Sequence, residues 1–96
     1  MLVEFSVVPL GKGESVSEYV AECVKIVRES GVRYLLTPMA TLLEGEMQEV
    51  MDVIMKCHAK VMERCDRVIT TIKIDDRKGR MNAMTQKIKS VEEKLV

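Results

Sequence analysis

The sequence predicts an α+β fold of order β-α-β-β-α-β with one further helix at its end. Three observations predict it. Leu2 to Val8 and Arg67 to Asp75 alternate in the period of a strand. Two longer stretches repeat apolar residues every three or four positions, the period of a helix. Between Val32 to Thr37 and Ala40 to Glu44 only Pro38 and Met39 intervene. That link is too short for a crossover helix, so these two strands pair antiparallel.

In the first strand Val3, Phe5 and Val7 fall on one face, and Leu2, Glu4, Ser6 and Val8 on the other. Pro9 ends it, because proline has no N–H to give a sheet. Leu10-Gly11-Lys12-Gly13-Glu14 is a loop. Ser15, with Glu18 three residues on, has the pattern of a capping box. The helix that follows carries Val16, Val20, Cys23 and Val27 as its apolar stripe, flanked by Tyr19, Val24 and Ile26. Gly31 stops it, since glycine takes positive φ without a Cβ clash. Pro38 breaks the second strand. The second helix runs from about Glu46 to Cys65, with the stripe Met47, Val50, Met51, Ile54, His58, Val61, Met62 and Cys65. Its first turn holds Glu46 and Glu49 and its end Lys60 and Arg64, an order that complements the helix dipole. In the last strand Val68, Thr70, Ile72 and Ile74 alternate with Ile69, Thr71, Lys73 and Asp75. A polar, basic loop over 76–83 leads to a final helix from about Thr85, whose apolar residues are Ile88, Val91 and Leu95.

Two right-handed βαβ crossovers joined by a hairpin define the ferredoxin-like fold, a four-stranded antiparallel sheet with both main helices on one face. The other face has no helix left to cover it, unless the last one reaches over. It would carry Leu2, Glu4, Ser6, Val8, Leu35, Thr37, Leu42, Glu44, Ile69, Thr71, Lys73 and Asp75. A solvated face would hold fewer Leu, Ile and Val. A core face would not hold Glu4 and Lys73. The mixture fits a subunit interface enclosing polar pockets, so a homo-oligomer is expected.

Bulk properties narrow the function classes. Residues 1–96 form one domain, and a chain this short buries only about 60 to 65% of its unfolded surface. The 15 Lys and Arg balance the 15 Asp and Glu, and there is no Trp and one Phe. A nucleic-acid partner is therefore not expected, because such binders carry a basic bias and stacking aromatics. No apolar run approaches the ~18 residues of a membrane span, and no basic segment precedes an apolar run. Neither a membrane partner nor a signal peptide is expected. The three cysteines, Cys23, Cys57 and Cys65, form no C-x-x-C pair. An odd count without that pair argues against a disulfide framework or a zinc site and makes a reducing cytoplasm the simplest compartment. The eight methionines suit an adaptable core or interface.

Few residues offer chemistry. The Gly11 to Ser15 loop opens a helix but lacks phosphate-loop spacing, and Glu14 would repel an anion. Cys57 and His58 are helix neighbours that diverge by about 100°, so they form no nucleophilic pair. His58 reads as a buried histidine bonded to a backbone or sheet hydroxyl. Asp75 and Asp76 point to opposite faces of a strand and converge poorly on a metal. No Ser-His-Asp arrangement can be assembled. Catalytic residues, metal ligands and cofactors are therefore all expected to be absent, and the protein is read as a non-enzyme. The hydroxyls Ser6, Thr37, Thr41, Thr70 and Thr71 each have a packing use in strands. Grouped with Glu4 and Glu44, they make a polar pocket.

Several ordered segments also carry a family pattern. They are Val7-Val8-Pro9-Leu10-Gly11, Gly13-Glu14-Ser15-Val16-Ser17 with Tyr19-Val20, Tyr34 with Thr37-Pro38-Met39, and Thr41 with Glu44-Gly45. His58, Arg67-Val68, the run Thr70 to Arg77 and Lys89-Ser90-Val91 continue it. In this order the chain resembles the small thiamine-binding, YkoF-like family. Ala40 departs from the pattern, where Gly is expected before Thr41. The resemblance implies a ferredoxin-like fold, a homotetramer built by sheet-to-sheet packing of dimers, and binding of thiamine or its hydroxymethylpyrimidine part without catalysis. A thiamine site needs a carboxylate or carbonyl for the cation, hydroxyl partners for the aminopyrimidine and an apolar wall. The expected ligand-binding set is Ser6, Thr37, Thr41, Glu44 and Thr71, with Glu44 preferred over Glu4 as the carboxylate. Tyr or Met would supply the wall. A structural oligomer without a ligand is the competing reading. A small enzyme on this scaffold is the third, and it lacks an identifiable nucleophile or acid–base pair.

Overall fold

The alternation of the first strand organises everything built on it. The computed structural model describes residues 1–13, 16–79 and 82–96. Its elements are β1 (Leu2–Pro9), α1 (Ser17–Ser30), β2 (Arg33–Leu36), β3 (Thr41–Glu44), α2 (Met47–Met62), β4 (Val68–Asp75) and α3 (Ala83–Lys94). The strands form one antiparallel sheet in the order β2-β3-β1-β4, the ferredoxin-like arrangement. The Ser15 capping box and Arg80 of the basic loop lie outside the described residues.

Val3 faces Leu43 and Ile74 across its two neighbours, Phe5 faces Thr41 and Ile72, and Val7 faces Thr70. Cross-strand partners share a face, so these positions form the floor beneath α1 and α2. Val3 and Leu43 are wholly buried there with Val27 of α1 and Val50, Ile54 and Val61 of α2. Gly31 ends α1 in the left-handed region at φ 78°, as its sequence position predicts.

The buried side of α2 differs from the expected stripe. Val50, Val53, Ile54, Cys57 and Val61 are buried, whereas Met47 and Met62 are exposed and His58 and Met51 are half-buried. The helix is turned because it packs against α1 as well as the sheet, and Cys57 meets Cys23 across that seam. α2 also ends at Met62, leaving Cys65 buried in the connection to β4.

On the opposite face Leu2 faces Glu44 and Asp75, Glu4 faces Leu42 and Lys73, Ser6 faces Thr71, and Val8 faces Ile69. This is the mixed face read from the sequence. The final helix reaches over one end of it. Ala83 and Met84 are buried. The Glu44 carboxylate accepts the backbone N–H groups of Ala83 at 2.5 Å and Met84 at 3.3 Å. Arg33 hydrogen-bonds Thr85, and Lys87 ion-pairs with Asp75. The other end of the face stays open, with Val8 and Ile69 exposed.

Candidate functional site

Unequal strand lengths create a cleft. β1 runs for eight residues, but β3 pairs only with Leu2 to Phe5. Among the described residues, Ser6, Val7 and Val8 therefore have no partner strand on their β3 side. The hairpin turn over 37–40 and the start of α1 bound the gap. The resulting cleft, about 190 Å³, is lined by Ser6, Val8, Val16, Val20, Cys23, Pro38, Met39, Ala40 and Thr41, with Phe5 and Val7 beneath.

Its turn is held by one side chain. Thr37 donates both its backbone N–H (3.0 Å) and its hydroxyl (2.6 Å) to the Ala40 carbonyl. The same hydroxyl accepts the Ala40 N–H at 3.1 Å. Pro38 and Met39 are thereby pushed outward, and Met39 is 88% exposed. The Ala40 methyl sits in the wall, where the expected glycine would leave more room.

The five residues expected as one ligand set do not converge. Ser6 and Thr41 meet at the cleft, although they belong to opposite faces of the sheet. Thr41 is buried opposite Phe5. Thr71 is exposed beside Ser6 on the open face. Thr37 shapes the wall through its bonds to Ala40. Glu44 lies at the far end of β3, about 10 Å along the strand from Thr41 at ~3.3 Å per residue. Its side chain is 11% exposed and is held by the first amides of α3 and by Arg33 at 3.5 Å. It acts as a cap for a helix 39 positions away, which no local pattern could reveal. Glu4 has the opposite situation: it is exposed on the open face, about 6.6 Å along the strand from Ser6. It borders a shallow hollow of about 380 Å³ with Leu42, Lys73 and Lys87.

His58 bonds a sheet hydroxyl, as the sequence indicated, but is half-buried rather than buried. Its Nδ1 is 2.6 Å from the Thr70 hydroxyl, beneath the helix and away from the open face. A wider groove of about 530 Å³ separates the edge strand β2 from α3, between Arg33, Leu35, Met84, Ile88, Lys89 and Glu92. It contains none of the expected ligand residues. Among the described residues, no three His, Cys, Asp or Glu side chains are grouped to hold a metal. Nor is any described helix long and apolar enough to cross a membrane. Sequence reasoning missed Val16, Val20, Cys23, Pro38 and Ala40 as cleft residues. The available signal was the mismatch between a long first strand and a short third.

Fold and cleft define a small ferredoxin-like α+β protein with half of one sheet face left open. The chain belongs to the thiamine-binding protein family, whose model matches residues 3–92. It is similar to UPF0045 protein Mb1933 of Mycobacterium bovis, 44% identical over 97 residues, covering 100% of this chain and 95% of the relative. UPF0045 protein MJ1052 of Methanocaldococcus jannaschii is 34% identical over 93 residues, covering 97% and 93%. The crystal structure of MJ1052 superposes with a TM-score of 0.89 at 35% identity, covering 96% of this chain and 95% of that one. A Thermotoga maritima protein, assigned by its name to thiamine biosynthesis or salvage, shares the fold at a TM-score of 0.82 and 22% identity, covering 94% and 96%.

Proposed function

We propose that this protein binds thiamine or its hydroxymethylpyrimidine moiety reversibly, as a cytoplasmic homo-oligomer, without turning the ligand over and without a cofactor. The observation that carries the reading is a largely apolar cleft bearing the Ser6 and Thr41 hydroxyls, in a chain of the thiamine-binding family. The cleft's size decides how much of the ligand enters. At about 190 Å³ it falls below the ~300 Å³ at which drug-sized sites begin. One ring fits. The aminopyrimidine, with donors and acceptors, suits Ser6, Thr41 and the edge of β1 that β3 does not reach, while Pro38 and Met39 provide the apolar wall.

The remainder of the ligand then lies along the open face, past Thr71. Glu4 is the carboxylate available to its cation, because Glu44 already holds α3. Val8, Leu35 and Ile69 remain exposed on that face, at 39%, 44% and 46%. Burying each against a second sheet is worth about 1.5 to 3 kcal/mol at full burial, which favours a dimer of dimers joined face to face. The same patch would serve an oligomer that takes no ligand, and titration separates the two readings. Calorimetric titration with thiamine, its phosphates and hydroxymethylpyrimidine is expected to give saturable heat with one site per chain. Absence of heat with all of them would favour the structural oligomer. Reversible binding of this kind would serve salvage, transport or regulation of thiamine.

A further inference from the structure

We infer that Cys23 and Cys57 are an oxidisable pair: a small peroxide entering the cleft oxidises Cys23, and Cys57 then closes a disulfide tying α1 to α2. This inference uses the cleft but does not depend on what ligand fills it.

Position is the first argument. Cys23 is 6% exposed and lines the cleft, whereas Cys57 lies behind it with no exposed surface. The two residues are 34 positions apart in sequence and face each other across the seam between helices. The Cys57 thiol points to the Cys23 carbonyl at 3.5 Å, and the Cys23 thiol to the Cys57 carbonyl at 4.0 Å. Each thiol is thereby set against the other residue's backbone across the seam. Packed helices have axes about 8–10 Å apart, and each Cα lies about 2.3 Å from its axis. Directly facing Cα atoms are then roughly 3.4–5.4 Å apart, a range that overlaps the ~4.4–6.8 Å of disulfides. Cys65, the third cysteine, is set apart beside Tyr19.

Asymmetry is the second argument. The neighbouring Cys57 side chain lowers the pKa of the Cys23 thiol, and the Cys23 side chain together with burial pushes Cys57 up. The thiol at the cleft is thus the better nucleophile, and the hidden one keeps its proton until it resolves the product. The Cys23 thiolate attacks one peroxide oxygen. The O–O bond breaks, hydroxide leaves and takes up a proton as water, and Cys23 becomes a sulfenic acid. The Cys57 sulfur then attacks the Cys23 sulfur, loses its proton and expels hydroxide, which leaves as water. Two thiols lose two electrons, and one peroxide is reduced to two waters.

The test treats the native protein with equimolar hydrogen peroxide, then alkylates under denaturing conditions and maps the peptides. A Cys23–Cys57 linkage with Cys65 alkylated is expected. In Cys57→Ser, oxidation should stop at a Cys23 sulfenic acid that dimedone traps. In Cys23→Ser, Cys57 should oxidise at least about tenfold more slowly, since its route through the cleft thiol is gone. Cys23→Ala replaces that variant if the serine form does not fold. The inference is overturned if Cys23 stays fully alkylatable in the folded protein, if Cys65 reacts first, or if removing Cys23 leaves the Cys57 rate unchanged.

Discussion

The Nδ1 of His58 and the Oγ1 of Thr70 lie 2.6 Å apart and join α2 to β4. The bond crosses from the main helix layer to an edge strand, beneath the helices and away from the open face. His58→Ala should leave the Thr70 hydroxyl without its partner and cost about 1 to 3 kcal/mol. Denaturant unfolding measures this. Ligand affinity at a temperature where the variant is folded should stay unchanged; a collapse of affinity with stability intact would place His58 in the binding site.

Glu44 joins the open sheet face to α3 through two backbone amides. In Glu44→Gln the carboxamide can accept through only one oxygen, and its NH2 meets N–H groups. The expected loss is about 1 to 3 kcal/mol, concentrated at the first turn of α3. Hydrogen exchange should accelerate at Ala83 and Met84 before it changes in α2. Ligand binding should weaken little.

Ser6, Thr41 and Glu4 should behave differently from Glu44. Loss of a neutral hydrogen bond in Ser6→Ala or Thr41→Val is expected to cost about 0.5 to 1.5 kcal/mol, roughly two- to tenfold in affinity. Glu4→Gln removes a charge-assisted contact to the cationic ring, about 1.5 to 3 kcal/mol. It should therefore weaken thiamine by roughly ten- to a hundredfold and uncharged hydroxymethylpyrimidine much less. Equal losses for the two ligands would remove Glu4 from the site.

Val8 and Ile69 face each other at the open end of the sheet, and both are exposed. If a second sheet covers them, Ile69→Asp places a carboxylate in that contact. Light scattering should then report a smaller particle than the wild type, with unchanged helix content. A wild type that is already monomeric at micromolar concentration would refute the assembly.

The sheet was legible because a strand has a period of two and one of its faces is buried. Val3, Phe5 and Val7 could then fall only on the helix side. The same logic failed on α2. Apolar residues surround that helix, including the exposed Met47 and Met55, so period alone could not choose its buried side. Packing of Cys57 against Cys23 made the choice. The Glu44 cap was illegible because its partners come from far along the chain. The spread of the expected ligand set was illegible for a related reason: Thr41 and Glu44 look close in sequence, yet they stand at opposite ends of one strand. Ser6 and Thr41 look distant, and the shortness of β3 brings them to the same cleft.

Equilibrium dialysis against hydroxymethylpyrimidine and thiamine, with mass analysis of the recovered ligand, tests reversible binding most directly. The account predicts saturable uptake approaching one ligand per chain, uptake reduced in Ser6→Ala, and ligand recovered chemically unchanged. No saturable uptake of either compound at ~1 mM, equivalent to binding weaker than about 4.1 kcal/mol, would contradict it, as would recovery of a converted product.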